Sequence, residues 1–63
     1  MSDKSVKENV QELLTTLTSA LEEAEKFSEK GNKAAGTRVR KALLDVSKGC
    51  KDIRQQVTNE KNA

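Results

Sequence analysis

Lys33, Arg38, Arg40 and Lys41 stand within nine residues that contain no acid, in the run Gly31-Asn32-Lys33-Ala34-Ala35-Gly36-Thr37-Arg38-Val39-Arg40-Lys41. The chemistry open to such a cluster is ion pairing with an anion. The run also opens a predicted helix, where each cation opposes the macrodipole at a cost of about a few tenths of a kcal/mol unless an anion docks nearby. Free backbone N–H groups, the positive helix end and the small side chains of Ala34, Ala35 and Gly36 together make a phosphate-accepting surface. On this reading Asn32, Lys33, Arg38, Arg40, Lys41 and Lys48 are the candidate contacts, and Lys51 extends the track along the same helix. Two plainer readings stand beside it. The cations form a solvated face or pair with acids of the preceding helix, and the small residues let two helices pack closely near a turn. Arg38 and Arg40 lie about 200° apart on a helix, so they cannot share a face, and one of them is available to a carboxylate of a partner chain.

Little else in the sequence can do chemistry. There is no His and no Tyr, and Cys50 is the only cysteine, which excludes a disulfide within the chain and a Cys/His metal site. Glu22, Glu23 and Glu25 read as a solvated helix face. Thr15, Thr16 and Thr18 have no partner base nearby, and Gly31 and Gly36 do not have the spacing of a phosphate-binding loop. No catalytic residue, cofactor, metal or small-molecule substrate is expected, and the chain is not expected to be an enzyme. Reading of bases is equally disfavoured, because no Asn/Gln cluster accompanies the cations and Phe27 is the sole aromatic. Binding to a nucleic acid would run through the backbone and weaken with salt.

The elements that must position these residues are legible from periodicity. Val6, Val10, Leu13, Leu17, Ala20, Ala24 and Phe27 step by four and three in alternation, a heptad seam over a helix predicted from about residue 3 to 30. Leu14 and Leu21 widen the stripe, which suits contact with more than one neighbouring helix. Val39, Leu43, Val46, Cys50, Ile53 and Val57 repeat the pattern over a second helix, about 33 to 60, flanked by Ala35 and Ala42. Cys50 has core spacing and reads first as a small buried hydrophobe, with a cross-dimer disulfide as the sharper alternative. Gly49 weakens this helix by about 1 kcal/mol relative to Ala and allows close backbone approach or a slight bend. Between the helices Gly31 is a natural stop and Asn32 a natural cap, and residues 59 to 63 are expected to fray.

The expected fold is therefore all-α: a single domain over residues 1–63, an antiparallel helical hairpin turning at 31–32. A chain of 63 residues buries little surface alone, so the hairpin is expected to dimerise into a coiled-coil-like four-helix bundle. The expected interface is Val10, Leu13, Leu14, Leu17, Leu21, Val39, Leu43, Val46, Cys50 and Ile53. Charge is divided between the halves. Residues 1–30 hold four Lys against seven acids, net −3, and residues 31–63 hold eight Lys/Arg against three acids, net +5. No signal peptide or membrane-spanning run is visible, and a cytoplasmic location is expected.

The basic stretch also resembles the linker-histone-like nucleoid proteins of chlamydiae and related short bacterial proteins. The resemblance rests on Glu25-Lys26, Lys30-Gly31-Asn32-Lys33-Ala34-Ala35 and Arg38-Val39-Arg40, with weaker similarity over Leu13-Leu14 and the later part of the second helix. It implies self-association through a helical region and compaction of double-stranded DNA, without marked sequence preference, in the nucleoid. Family members carry a Lys/Ala/Pro-rich tail, and this sequence ends at Ala63 without one, so contact with DNA is expected from the Lys33–Lys41 region of a homodimer. The alternative is an adaptor module that binds a protein partner through its apolar seam. A membrane-surface helix pair is disfavoured by the absence of Trp.

Overall fold

The computed structural model describes residues 4–62. Two helices, α1 (Val6–Lys30) and α2 (Lys33–Lys61), form an antiparallel hairpin, and no strand occurs among the described residues. The rod measures 49 × 16 × 15 Å. No helix among the described residues is long and apolar enough to cross a membrane.

Helix α1 begins later than residue 3 because Ser5 and Glu8 form a capping box. The Glu8 N–H donates to Ser5 Oγ at 3.1 Å and the Ser5 N–H donates to Glu8 Oε1 at 2.9 Å, satisfying two otherwise orphaned donors. The Ser5 backbone N–H, followed by the Ser5 hydroxyl, favours the ionised carboxylate and holds Glu8 below its ordinary value of 4.5. The signal, Ser-x-x-Glu ahead of an apolar run, is present in the sequence; Asp3 lies outside the described residues.

At the other end Gly31 takes φ 65, ψ 26, a left-handed conformation in which its N–H donates to Phe27 O at 3.0 Å. Asn32 Oδ1 then accepts the Ala35 N–H at 3.1 Å and starts α2. Stop and cap are adjacent, so the chain reverses in two residues. Helix α2 continues through Asn59 and Glu60 to Lys61, where fraying was expected.

The seam inside the hairpin differs from the one the large apolar residues suggest. Its α1 side is Val6, Asn9, Leu13, Thr16, Ala20, Glu23 and Ala24, and its α2 side is Ala35, Val39, Ala42, Val46, Gly49, Ile53 and Gln56, all buried or half-buried. Only Ala20 and Ala35 are fully buried among the described residues. Small residues bring the backbones together, and the larger side chains fold over them. A Cβ on Gly49 would lie 2.6 Å from Leu13 Cδ2, and one on Gly36 would lie 2.7 Å from two ring carbons of Phe27. Of the two sequence readings of Gly49, close approach is therefore the one observed. At the open end the seam turns polar. Asn9 Nδ2 donates to Gln56 Oε1 at 2.7 Å, and Gln56 Nε2 donates to Lys4 O at 3.0 Å. The half-buried Asn9–Gln56 pair favours this register, because a slip would leave it unpaired.

The two glycines should respond in opposite ways to alanine. Leu13 Cδ2 is the end of a flexible side chain and can move aside, so Gly49→Ala keeps most of the gain of about 1 kcal/mol in helix propensity. At Gly36 two carbons of the Phe27 ring lie at 2.7 Å, so the ring must swing off the helix as one body and lose its contact with α2, a loss of about 1–2 kcal/mol that outweighs the same gain. Thermal unfolding followed by circular dichroism should place Gly36→Ala below the wild type and Gly49→Ala at or above it. Equal stabilities would mean that Phe27 does not rest on Gly36.

With the seam so occupied, six of the ten residues of the predicted interface remain outside it. Leu13, Val39, Val46 and Ile53 are half-buried within the hairpin, whereas Val10, Leu14, Leu17, Leu21, Leu43 and Cys50 are exposed. Cys50 is thus not a buried hydrophobe of the hairpin; it stands four residues beyond Val46, on the flank of the seam. On helices that advance about 100° per residue, the exposed stripe of each helix is rotated from its seam in the same sense. Two right-handed helices running in opposite directions then turn both stripes to one side. The hairpin has one apolar face, carrying Val10, Leu14, Leu17 and Leu21 from α1 and Leu43, Cys50 and Val57 from α2.

Candidate nucleic-acid interface

The start of α2 is built from the turn outward. Gly31 and Asn32 reverse the chain, and Ala35, with no exposed surface, and Gly36 under Phe27 seat the first turn of α2 against the end of α1. The small residues therefore serve close packing, the plainer of their two readings; Ala34 is exposed. Asn32 is engaged as the cap of Ala35. The Gly36 N–H closes the first helical hydrogen bond on Asn32 O at 3.2 Å.

Arg38 is not available in the way its sequence position suggests. It lies beside the seam and its Nε hydrogen-bonds Glu23 Oε1 of the same chain, rather than a carboxylate of a partner. Lys26 Nζ approaches the other Glu23 oxygen at 3.2 Å. Glu23 is accordingly not part of the solvated acidic face formed by Glu22 and Glu25; its side chain is 20% exposed. The Arg38 guanidinium, followed by the Lys26 ammonium, holds the Glu23 carboxyl below its ordinary 4.5. A depressed carboxylate contributes stability that is complete above 4.5 and lost as pH falls through the lower folded value. An NMR titration of the Glu23 side chain should show a midpoint below 4.5, moving back towards it in Arg38→Gln. An unchanged midpoint in that variant would rule out the pair in solution.

Lys33, Arg40, Lys41 and Lys48 are exposed and make no ion pair among the described residues. They do not share one line. Helical spacing sets Lys33, Arg40, Lys51 and Arg54 along the edge of α2 that faces away from α1, with intervals of seven, eleven and three residues. Lys41 and Lys48 lie on the neighbouring strip together with Asp45 and Asp52. The acid-free edge is thus Lys33, Arg40, Lys51 and Arg54. Arg54 was outside the sequence reading, although its spacing from Lys51 carried the signal. The opposite edge of the hairpin, on α1, carries Glu22, Glu25 and Glu29. The groove at the open end is lined by Glu8, Glu12, Asp52 and Glu60, the wrong sign for a phosphate. The outer edge of α2 is thus the strip of the described surface where cations stand without acids among them.

Phe27, the one aromatic, packs on Gly36 and is not presented as a stacking platform for bases. An array of separate cations on a rigid helix can meet a repeating polyanion at several points, but it has no donor pattern with which to read sequence.

No curated protein and no solved structure is similar enough to this chain to count as a match. The sequence pattern of one protein family, described as histone H1-like protein Hc1, matches residues 7–63, which takes in nearly all of α1, the turn and the whole of α2. The cationic edge, the tight hairpin and this match lead to one conclusion: the chain belongs to the histone H1-like Hc1 family, whose character is that of DNA-associated structural proteins rather than enzymes.

Proposed function

We propose that this chain is a nucleoid protein that binds double-stranded DNA without sequence preference, as a homodimer, and compacts it. The observation that carries the reading is the acid-free cationic edge of α2. Four exposed cations project from one side of the helix, and within the hairpin the acids stand on other strips of its surface. Membership of a histone H1-like family supports the same reading. Lys33, Arg40, Lys51 and Arg54 are the principal phosphate contacts, with Lys41 and Lys48 as lesser ones. Asn32 holds the helix start in place, and Arg38 contributes only when it leaves Glu23. The apolar face made by Leu14, Leu17, Leu21 and Leu43 supplies self-association.

The test is a titration of random-sequence duplex at rising salt. Phosphate contacts release counterions, so log K should fall linearly with log salt by about 0.9 per contact. Equal affinity for unrelated duplexes is expected. A slope near zero, or no binding at about 50 mM salt, removes the proposal. A second reading, an adaptor that docks another protein, is favoured by the same exposed apolar face. A chain that stays monomeric and ignores DNA would point to it.

A further inference from the structure

The hairpin is under-buried for its size in a way that specifies its own cover. It exposes 5300 Å², whereas a compact monomer of 6.9 kDa exposes roughly 4000 Å². The difference of roughly 1300 Å² per chain is well above the ~800 Å² that each partner contributes to a standard interface. Leu14 and Leu21 are 63% and 61% exposed. Because both stripes open on one side, a second hairpin laid on that side covers the exposed leucines of both helices at once.

Two stackings are possible under two-fold symmetry. In one, the axis runs along the rod: both turns lie at the same end, and α1 of each hairpin rests on the partner's α2. In the other, the axis crosses the rod: the turns lie at opposite ends, and α1 rests on α1 and α2 on α2. Apolar register does not choose between them, since both match leucine layers. Charge does. Helix α1 holds three Lys against six Glu, net −3, and α2 holds eight Lys/Arg against three acids, net +5. The second stacking sets −3 beside −3 and +5 beside +5. The first alternates the signs around the bundle.

We infer that the chain forms a dimer with both turns at one end, α1 of each hairpin packed antiparallel on the partner's α2. This rests on the self-association in the reading above and adds its geometry. Within the hairpin, residues whose numbers sum to about 62 face each other, as Leu13 with Gly49 and Glu23 with Arg38 do. The same heights recur across the new interface. Leu21 meets the partner's Leu43, and Leu14 meets the partner's Cys50. The two cationic α2 edges then lie at diagonally opposite corners of the bundle. One dimer offers two separate edges instead of a single broad face, an arrangement that holds two duplexes side by side instead of bending one.

A spin label on Lys30→Cys in a Cys50→Ser background decides the geometry, because Lys30 is exposed beside the turn. With helices rising 1.5 Å per residue, same-end stacking puts the paired labels about 25–30 Å apart, and opposite-end stacking puts them beyond about 40 Å. The short distance is the expected one; the long distance overturns the inference. A second readout needs no label. Raising salt from 50 to 500 mM should weaken the same-end dimer several-fold, since its neighbouring helices attract, and a dimer that tightens with salt overturns the inference as well. A chain that sediments as a monomer at every concentration removes the underlying self-association instead, and is told apart from both dimers by mass alone.

Discussion

Leu17→Asp combined with Leu21→Asp is expected to abolish self-association, raising the dimer dissociation constant at least about 1000-fold. Both residues lie in the middle of the apolar face, 41% and 61% exposed in the hairpin. Removing a leucine side chain from water contributes about 1.5–3 kcal/mol, and each site occurs twice in a dimer. Even partial burial thus exceeds the ~4 kcal/mol that a 1000-fold change represents, before the desolvation of the new carboxylates is counted. The monomer that results should also lose helix content, because its own seam fully buries two alanines and little else. Leu44→Asp is the control. Leu44 is 71% exposed but lies on the outer edge of α2, away from the apolar face, so its replacement should leave the mass unchanged. Sedimentation equilibrium measures all three chains. A double variant that remains dimeric at micromolar concentration would show that another surface holds the protomers together.

The second large effect concerns DNA. Arg40→Gln with Lys51→Gln removes two phosphate contacts from each cationic edge. If one duplex occupies one edge, the slope of log K against log salt should become shallower by about 1.8, and affinity near 0.1 M salt should fall on the order of 50-fold. Arg38→Gln should cost far less, because Arg38 is already engaged by Glu23. The contrast between these variants is the informative measurement. Equal losses at all three positions would indicate that charge alone matters, wherever it lies on the helix. A large loss at Arg38 with none at Arg40 and Lys51 would move the contact surface from the outer edge to the strip beside the seam. Circular dichroism on each variant keeps binding separate from folding, and none of these residues is buried.

Local chemistry made most of the fold legible. The Gly31-Asn32 stop and cap, the absence of proline and the sustained heptad spacing predict two helices and one turn, and the structure has these within a few residues. The Ser5–Glu8 capping box was equally legible and moves the start of α1 to Val6. The seam was harder to read because each helix carries two overlapping heptads. The large residues Val10, Leu17, Leu43 and Val57 advertise one, whereas Asn9, Thr16, Ala42, Gly49 and Gln56 hide the other behind small or polar side chains. Hydrophobicity counts favour the first, and close backbone approach selects the second for the hairpin's own interface. The candidate site shows the same division. A cluster of four cations was evident in the sequence, but the sum of charges does not say which of them a neighbouring carboxylate holds.

Residue types and their spacing were enough to show that this protein is helical, that it turns at Gly31 and Asn32, and that its positive charge gathers on the second helix. Those properties follow from backbone conformational preference and residue type, which act over a few positions. Packing of one helix on the other settled that Arg38 belongs to Glu23, that the edge shared by Lys33, Arg40, Lys51 and Arg54 faces away from α1, and that the leucines of both helices open on one side. Each of these depends on the rotation of one helix against the other, and that rotation is fixed by packing between residues far apart in the chain.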